Sequence, residues 1–247
     1  MADKVLFDGD TDYGHYQVID TIYEGRSARV LYSGPRSAAQ SGIATDGQPD
    51  LLFDYNQRFL EVVEGILPKR VLLLGGGAFT LPKALLTKFS DIVIDVVELD
   101  GGLQKIAETY FGLTPSERLH IHTGDALQFL TKNKDTYDLI LIDVFTHTSI
   151  PETFLTKRAA ELVYEHLEAK GLIAMNVISP YFGRNAEVIR ALVASYGAVF
   201  KEVQVYPAGR TLFSLWLPQN LVLVAYKSKA QPLQLRYGKL PPIELET

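Results

Sequence analysis

The chain carries a series of short apolar runs, each of which stops at glycine or an acidic residue. Residues 71–74 are four apolar positions in a row, too short for a free-standing helix and closed by Gly75, Gly76 and Gly77. They read as a strand buried on both faces. Residues 92–97 form a second such run and end at Glu98, with Asp100 just beyond; residues 119–122 form a third and end in Thr123-Gly124-Asp125-Ala126. Residues 137–142 form a fourth, ending at Asp143. Between the runs, apolar residues recur at helical spacing: Leu81, Leu85 and Leu86 after the glycines, residues 103–111 after Gly101-Gly102, and residues 126–132 after the third strand.

The alternation continues downstream. Residues 152–169 read as one long amphipathic helix closed by Lys170-Gly171, a glycine just past a helix end. Residues 172–178 follow as a strand, 185–196 as a helix, and 199–206 and 221–226 as two further strands. Upstream, Phe53, Phe59, Leu60, Val63 and Ile66 mark a helix that Pro68 ends. Strand and helix in alternation predict an α/β protein with a doubly wound, mostly parallel sheet and right-handed crossovers. The first fifty residues differ: residues 16–23 and 28–32 are rich in β-formers, with turns at Gly25, Gly34-Pro35 and Asp46-Gly47. The expected organisation is a small antiparallel β-domain over 1–50, the main domain over 51–229, and an extended tail over 230–247 that contains Pro232, Pro241 and Pro242.

Nearly half of the 247 residues are apolar, enough for a substantial core. A formal charge of −5 does not favour a nucleic-acid backbone as partner. The absence of cysteine rules out disulfides, thiol nucleophiles and cysteine zinc sites. No apolar run approaches bilayer-spanning length, and no basic region followed by an apolar stretch opens the chain, so the expectation is a soluble cytoplasmic protein without a membrane partner.

The strand ends carry the candidate chemistry. Glycine turns let a ligand approach the backbone, and the helix that follows offers unpaired N–H groups. An acidic residue about 20 positions beyond the glycines is placed to accept from two ribose hydroxyls. A dinucleotide fold would share this, but the third glycine of Gly-x-Gly-x-x-Gly is absent, since the run is Gly75, Gly76, Gly77, Ala78, Phe79, Thr80. Asp125 is placed to receive an adenine amine, or to cap the helix after it. Four strand ends converging on one sheet edge, where open α/β folds bind ligands, read as a site for an S-adenosyl nucleoside, with Asp143 as candidate proton acceptor. His120 and His122 share a strand face, but packing or solvent explains them better than a metal, and no metal is expected. Trp216, with Phe213 and Leu215, reads as core. His147 and the cluster Arg26, Arg29 and Arg36 read as exposed polar surface.

The run Val71-Leu72-Leu73-Leu74-Gly75-Gly76-Gly77 with Val97-Glu98-Leu99-Asp100, Thr123-Gly124-Asp125-Ala126 and Asp138-Leu139-Ile140-Leu141-Ile142-Asp143 resembles the spermidine synthase (polyamine aminopropyltransferase) family. The resemblance extends to Tyr16-Gln17, Gln40 and Asp54-Tyr55-Asn56, which look like the family's ligand-contacting positions, and to Tyr206-Pro207-Ala208-Gly209, similar to its Tyr-Pro-x-Gly. It implies a methyltransferase-type fold, an amino-terminal β-domain and a homodimer. It further implies that Glu98 binds ribose, that Asp125 and Ala126 flank adenine, and that Asp143 takes a proton from an attacking amine. Gln17, Tyr55 and Tyr206 would meet that acceptor, and Gln40 and Gly75 to Gly77 the nucleoside.

Two positions depart from the family. Ala78 stands where members carry the acid that holds the donor's charged aminopropyl tail, and Thr146 where a second acid grips the polyamine. Cationic substrates are hard to recognise without carboxylates. The pattern resembles the spermidine synthase-like branch, which implies a transferase that uses S-adenosylmethionine or its decarboxylated form and moves an aminopropyl or methyl group to a small-molecule acceptor such as an amine. A non-catalytic nucleoside sensor or scaffold is the competing expectation.

Overall fold

The computed structural model describes residues 3–34, 38–47, 51–145, 149–209, 215–229, 233 and 235. Thr146, His147, Phe213, Arg36 and the expected tail, apart from Leu233 and Leu235, lie outside them.

The amino-terminal segment forms an antiparallel sheet in simple order, β1 (Lys4–Asp10), β2 (His15–Tyr23), β3 (Arg26–Ser33) and β4 (Ala39–Ala44). After α1 (Asp54–Ile66) come β5 (Arg70–Leu74), α2 (Thr80–Lys88), β6 (Val93–Glu98), α3 (Gly101–Tyr110), β7 (Leu119–Thr123), α4 (Ala126–Lys132) and β8 (Tyr137–Ile142). A 3-10 turn over Glu152–Leu155 precedes α5 (Lys157–Glu165), β9 (Leu167–Ser179), α6 (Glu187–Gly197), β10 (Glu202–Pro207) and β11 (Gln219–Tyr226). The large sheet has the order β10-β11-β9-β8-β5-β6-β7. The strands from β7 through β9 run parallel, and β11 is antiparallel to both its neighbours.

The unbroken apolar runs follow from burial on both faces. Along β5, Val71 and Leu73 pack with Phe59, Val62 and Val63 of α1 and Leu85 of α2, while Leu72 and Leu74 pack with Leu130 of α4, Val163 of α5 and Ile189 of α6. Each such leucine contributes about 1.5–3 kcal/mol relative to exposure.

One expected element is not present as drawn. The helix expected over 152–169 is divided at Thr156, whose hydroxyl accepts from the Ala159 N–H at 3.2 Å and starts a new helix. That helix stops at Glu165 because Leu167 already pairs with Tyr137 in the sheet. Residues 168–170 then bulge outward before Leu172 pairs with Leu139, so Lys170-Gly171 belongs to a strand bulge and not to a helix end. The strand expected from Val199 begins at Glu202, because the Val199 and Phe200 N–H groups both turn back to the Tyr196 carbonyl.

The small sheet sits against the glycine loop and α3 through Tyr16, Val18 and Leu31, which meet Ala78, Leu103, Ile106 and Phe111. Polar ties secure the contact. Arg29, paired with Asp20, also donates from Nη1 to the Tyr110 carbonyl at 2.7 Å, so the arginines expected as a solvated face are partly structural. Arg26 pairs with Asp46. Asp100 is 3 % exposed: one carboxylate oxygen caps α3 by accepting from the Gly102 N–H at 2.9 Å, and the other takes the Thr11 hydroxyl. Among the described residues no helix is long and apolar enough to cross a membrane.

Asp100→Ala removes a helix cap and the tie to Thr11 together, so unfolding by urea should show a loss of about 2 kcal/mol. An unchanged midpoint would show that Asp100 does not hold the small sheet to α3.

Candidate functional site

The parallel register carries the strand ends to one edge. The ladder runs one residue past each strand: Gly75 N–H donates to the Val97 carbonyl at 2.8 Å, Asp143 N–H to Leu74 at 2.8 Å, and Gly124 N–H to Glu98 at 2.9 Å. The glycine loop, Glu98, Gly124-Asp125-Ala126 and Asp143 therefore stand side by side, as their spacing predicts. Asp143 lies beyond the Ile142–Met175 pair of β8 and β9, which brings Asn176 beside it.

Close packing accounts for the glycines. Gly75 has φ +92°, and a Cβ there would lie 2.2 Å from the Asp143 carbonyl oxygen. A Cβ on Gly76 would meet the Phe79 ring at 2.9 Å and Val96 at 3.1 Å, and one on Gly77 the Ser41 hydroxyl at 2.6 Å. The loop's N–H groups are likewise engaged within the protein. Glu98 Oε2 accepts from Gly76 at 2.7 Å and Gly77 at 3.0 Å, and its Oε1 accepts from the Asp100 N–H at 2.9 Å. The Ala78 N–H donates to Ser41 Oγ at 3.1 Å. The expectation of unpaired N–H groups after the glycine turn is not met at Gly76, Gly77 and Ala78.

Asp143 is a perturbed carboxylate. Burial pushes its pKa up to about 6; hydrogen bonds from Asn176 and Tyr55 pull the other way, and the negative Glu98 raises it further. Asn176 Nδ2 donates to Asp143 Oδ1 at 3.0 Å, and the Tyr55 hydroxyl, on a buried ring of α1, holds the same carboxylate. Burial, with Asp143 beside it, keeps that phenol protonated, its pKa well above the usual tyrosine value.

The other expected positions fall as follows. Asp125 is exposed and caps α4, its Oδ1 accepting from the Gln128 N–H at 2.8 Å, while Ala126 is buried at the helix start. Gln40 occupies the irregular step of β4 next to Ser41. Gln17 donates to Asp8 Oδ2 at 2.7 Å across β1 and β2. Tyr206 is 1 % exposed, and its hydroxyl bonds Gln204 and the Leu233 carbonyl. Trp216 is 65 % exposed and lies tilted against the Phe182 ring, whereas Leu215 is buried, which corrects the expectation of a core tryptophan. His120 and His122 both bond Asp95 Oδ1, at 3.3 and 3.0 Å, and no metal-holding group is present among the described residues. Two contributors escaped sequence reasoning. Asn176 was visible as the one polar residue inside an apolar strand; Ser41 carried no signal.

The fold and edge described here define a methyltransferase-like α/β protein. Its structure superposes on a probable spermidine synthase from Corynebacterium glutamicum with a TM-score of 0.80, covering 95% of this chain and 84% of that one at 19% identity. It also superposes on human methyltransferase-like protein 13 in complex with SAH, with a TM-score of 0.61, 22% identity and coverage of 73% and 85%. In sequence, the polyamine aminopropyltransferase of Lachnospira eligens is 29% identical over 213 residues, 84% of this chain and 71% of that protein. The family profile for the spermine/spermidine synthase domain matches residues 59–218, and the chain belongs to that family.

Asp143 has a stability consequence with a definite sign. Its folded pKa of about 6 lies above the unfolded 3.8, so the folded state holds the proton more tightly and loses stability as pH rises from about 4 through 6. Discounted for partial exposure, the loss at pH 7 is about 2 kcal/mol. Asp143→Asn should therefore be more stable than wild type at pH 7 by about that amount, with the advantage vanishing below about pH 4. An equal or lower melting temperature at pH 7 would contradict the burial argument.

Proposed function

We propose that the protein is an aminopropyltransferase-type enzyme that binds decarboxylated S-adenosylmethionine at the carboxyl edge and alkylates an amine. The observation that carries the reading is Asp143: a half-buried carboxylate at the strand end, held by Tyr55 and Asn176, with its pKa raised to about 6. In the reaction the amine nitrogen attacks an alkyl carbon of the sulfonium. The N–C bond forms, the C–S bond breaks with its electron pair going to sulfur, and the proton lost from nitrogen passes to Asp143. The protein supplies orientation and a base that is ionised at neutral pH but still close enough in pKa to take a proton. Family membership supports transfer chemistry of this kind, and the Lachnospira eligens relative is a polyamine aminopropyltransferase.

The preference for the decarboxylated donor comes from the glycine loop. With Gly76 and Gly77 bound to Glu98 and Ala78 bound to Ser41, a tail carboxylate would find these three amides taken and two acids, Glu98 and Asp143, in its neighbourhood. An uncharged or cationic tail meets neither obstacle. The three backbone amides take three of the roughly four acceptor sites of the Glu98 carboxylate, which leaves one for a ribose hydroxyl.

Turnover of decarboxylated S-adenosylmethionine with putrescine as probe acceptor, read as methylthioadenosine release, tests this. Asp143→Asn should lower kcat by about 100-fold or more, and wild-type kcat/KM should rise with pH through about 6 as Asp143 ionises. Activity retained in the variant would remove Asp143 from the mechanism. In calorimetry the decarboxylated donor should bind at least about tenfold more tightly than S-adenosylmethionine, a difference of about 1.4 kcal/mol. Equal or reversed affinities would refute the donor assignment. Glu98→Ala should weaken methylthioadenosine by about 1.5–3 kcal/mol, and unchanged affinity would refute the ribose role.

A further inference from the structure

Helix α1 buries an arginine. Arg58 is 2 % exposed, lies one turn beyond Tyr55, and joins Phe59, Val62 and Val63 among the buried residues of the helix. Its Nε donates to the Pro207 carbonyl at 3.3 Å, and its Nη1 pairs with Glu61, whose side chain is 20 % exposed. A guanidinium taken out of water carries a desolvation cost that an ion pair repays only in part. An apolar side chain of similar volume in its place is often neutral or stabilising. Core packing alone does not call for an arginine here.

The bond to Pro207 reaches the end of α1 that faces the strand ends. The helix begins at Phe53, which has no side-chain oxygen to cap it, so its first turn takes its position from tertiary contacts. The far end is held separately, by Leu233, which packs where a Cβ on Gly65 would lie 2.5 Å from it. At the near end, the turn after β10 lies across the helix start. Pro207 closes β10, the Ala208 N–H donates to the Asn220 carbonyl at 2.9 Å, and Ala208 is buried in the cluster that holds Tyr55. Gly209 faces Asp54, with 3.7 Å between a Cβ placed there and Asp54 Oδ2. Because Ala208 is tied to β11, the Pro207 carbonyl is a fixed point to which Arg58 fastens the helix. The first turn of that helix carries Tyr55, whose hydroxyl holds the Asp143 carboxylate. Of the groups that bear on that carboxylate, Asn176 of β9, Tyr55 of α1 and Glu98 of β6, Tyr55 is the one α1 supplies.

We propose that Arg58 is a positioning residue for the transfer reaction: by holding the Pro207 carbonyl it fixes α1 where the Tyr55 hydroxyl reaches Asp143. The inference rests on the transferase reading above, in which Asp143 is the base, and assigns the residue that sets the reach of its tyrosine.

Titration of Asp143 tests it. Arg58→Met keeps a long side chain and removes the donor and the charge, whereas Tyr55→Phe removes the hydroxyl itself. The carboxyl carbon of Asp143 is followed by NMR, assigned with Asp143→Asn. The pH profile of kcat/KM is recorded beside it, with decarboxylated S-adenosylmethionine and putrescine. Wild type should titrate at about 6. Tyr55→Phe should raise the midpoint by about 1 pH unit, because the ionised carboxylate loses a donor. Arg58→Met should raise it too and lower kcat by about tenfold. The double variant Arg58→Met/Tyr55→Phe should titrate as Tyr55→Phe does, since one bond cannot be lost twice. Leu233→Ala, which loosens the far end of the same helix, should leave the midpoint at the wild-type value. If Arg58→Met does not fold, Arg58→Met/Glu61→Gln, which removes the pair together, carries the same test. The proposal is overturned if the arginine variant or Tyr55→Phe titrates as wild type, if their shifts add, or if Leu233→Ala shifts the midpoint equally. The expected titrations in a protein that releases no methylthioadenosine with any amine would instead remove the transferase reading and leave Arg58 as the residue that places Tyr55.

Discussion

At Gly75 the backbone of one loop comes so close to the Asp143 carbonyl that a methyl group would sit 2.2 Å from its oxygen. That approach needs both the missing side chain and a positive φ, and only glycine provides the two together without strain. From it follows the position of every group at the carboxyl edge. The glycine loop lies against β8, its next two amides reach Glu98 on β6, and Asp143 is held at the rim between β5 and β9. Glu98 then links the turn after β5 to the turn after β6, since its second oxygen takes the Asp100 amide. The edge is a network of backbone donors and buried acids, and the small amino-terminal sheet closes it through Ser41 and Thr11.

The large sheet was legible because its strands are buried on both faces. Continuous apolar runs such as 71–74 and 139–142 have no use in a half-exposed strand, and each is bounded by residues that cannot continue it. Legibility failed where two periodicities compete. Residues 152–169 carry apolar positions at helical spacing, yet Leu167 is claimed by a strand partner remote in sequence, and no local pattern announces Tyr137 as that partner. Trp216 failed for a related reason: size and apolarity suggest core, but the buried member of its segment is Leu215, whose carbonyl receives the Tyr181 and Phe182 amides.

The acids show what sequence can and cannot say about a site. Glu98, Asp100, Asp125 and Asp143 all stand at or just past strand ends, and their spacing suggests roles without showing what each side chain binds. Three dimensions divide their work. Asp100 is buried and consumed by a helix cap and a threonine. Asp125 gives one oxygen to a cap and is exposed. Glu98 gathers backbone amides. Asp143 has its ionisation shifted by burial toward the working range of a base. The groups that set this, Tyr55 and Asn176, come from a helix and a strand far apart in the chain, so their convergence required the fold. Tyr206, though it matches the family's motif, turns its hydroxyl to Gln204 and the Leu233 carbonyl.

The central claim is that this edge cradles a sulfur-bearing adenosine with Asp143 beyond the sulfur. A crystal structure with methylthioadenosine bound tests it most directly. The account predicts ribose hydroxyls on Glu98, adenine beside Asp125 and Ala126, and the sulfur directed toward the space bounded by Asp143, Asn176 and Tyr55. A nucleoside bound elsewhere, or one whose sulfur points away from Asp143, would contradict it.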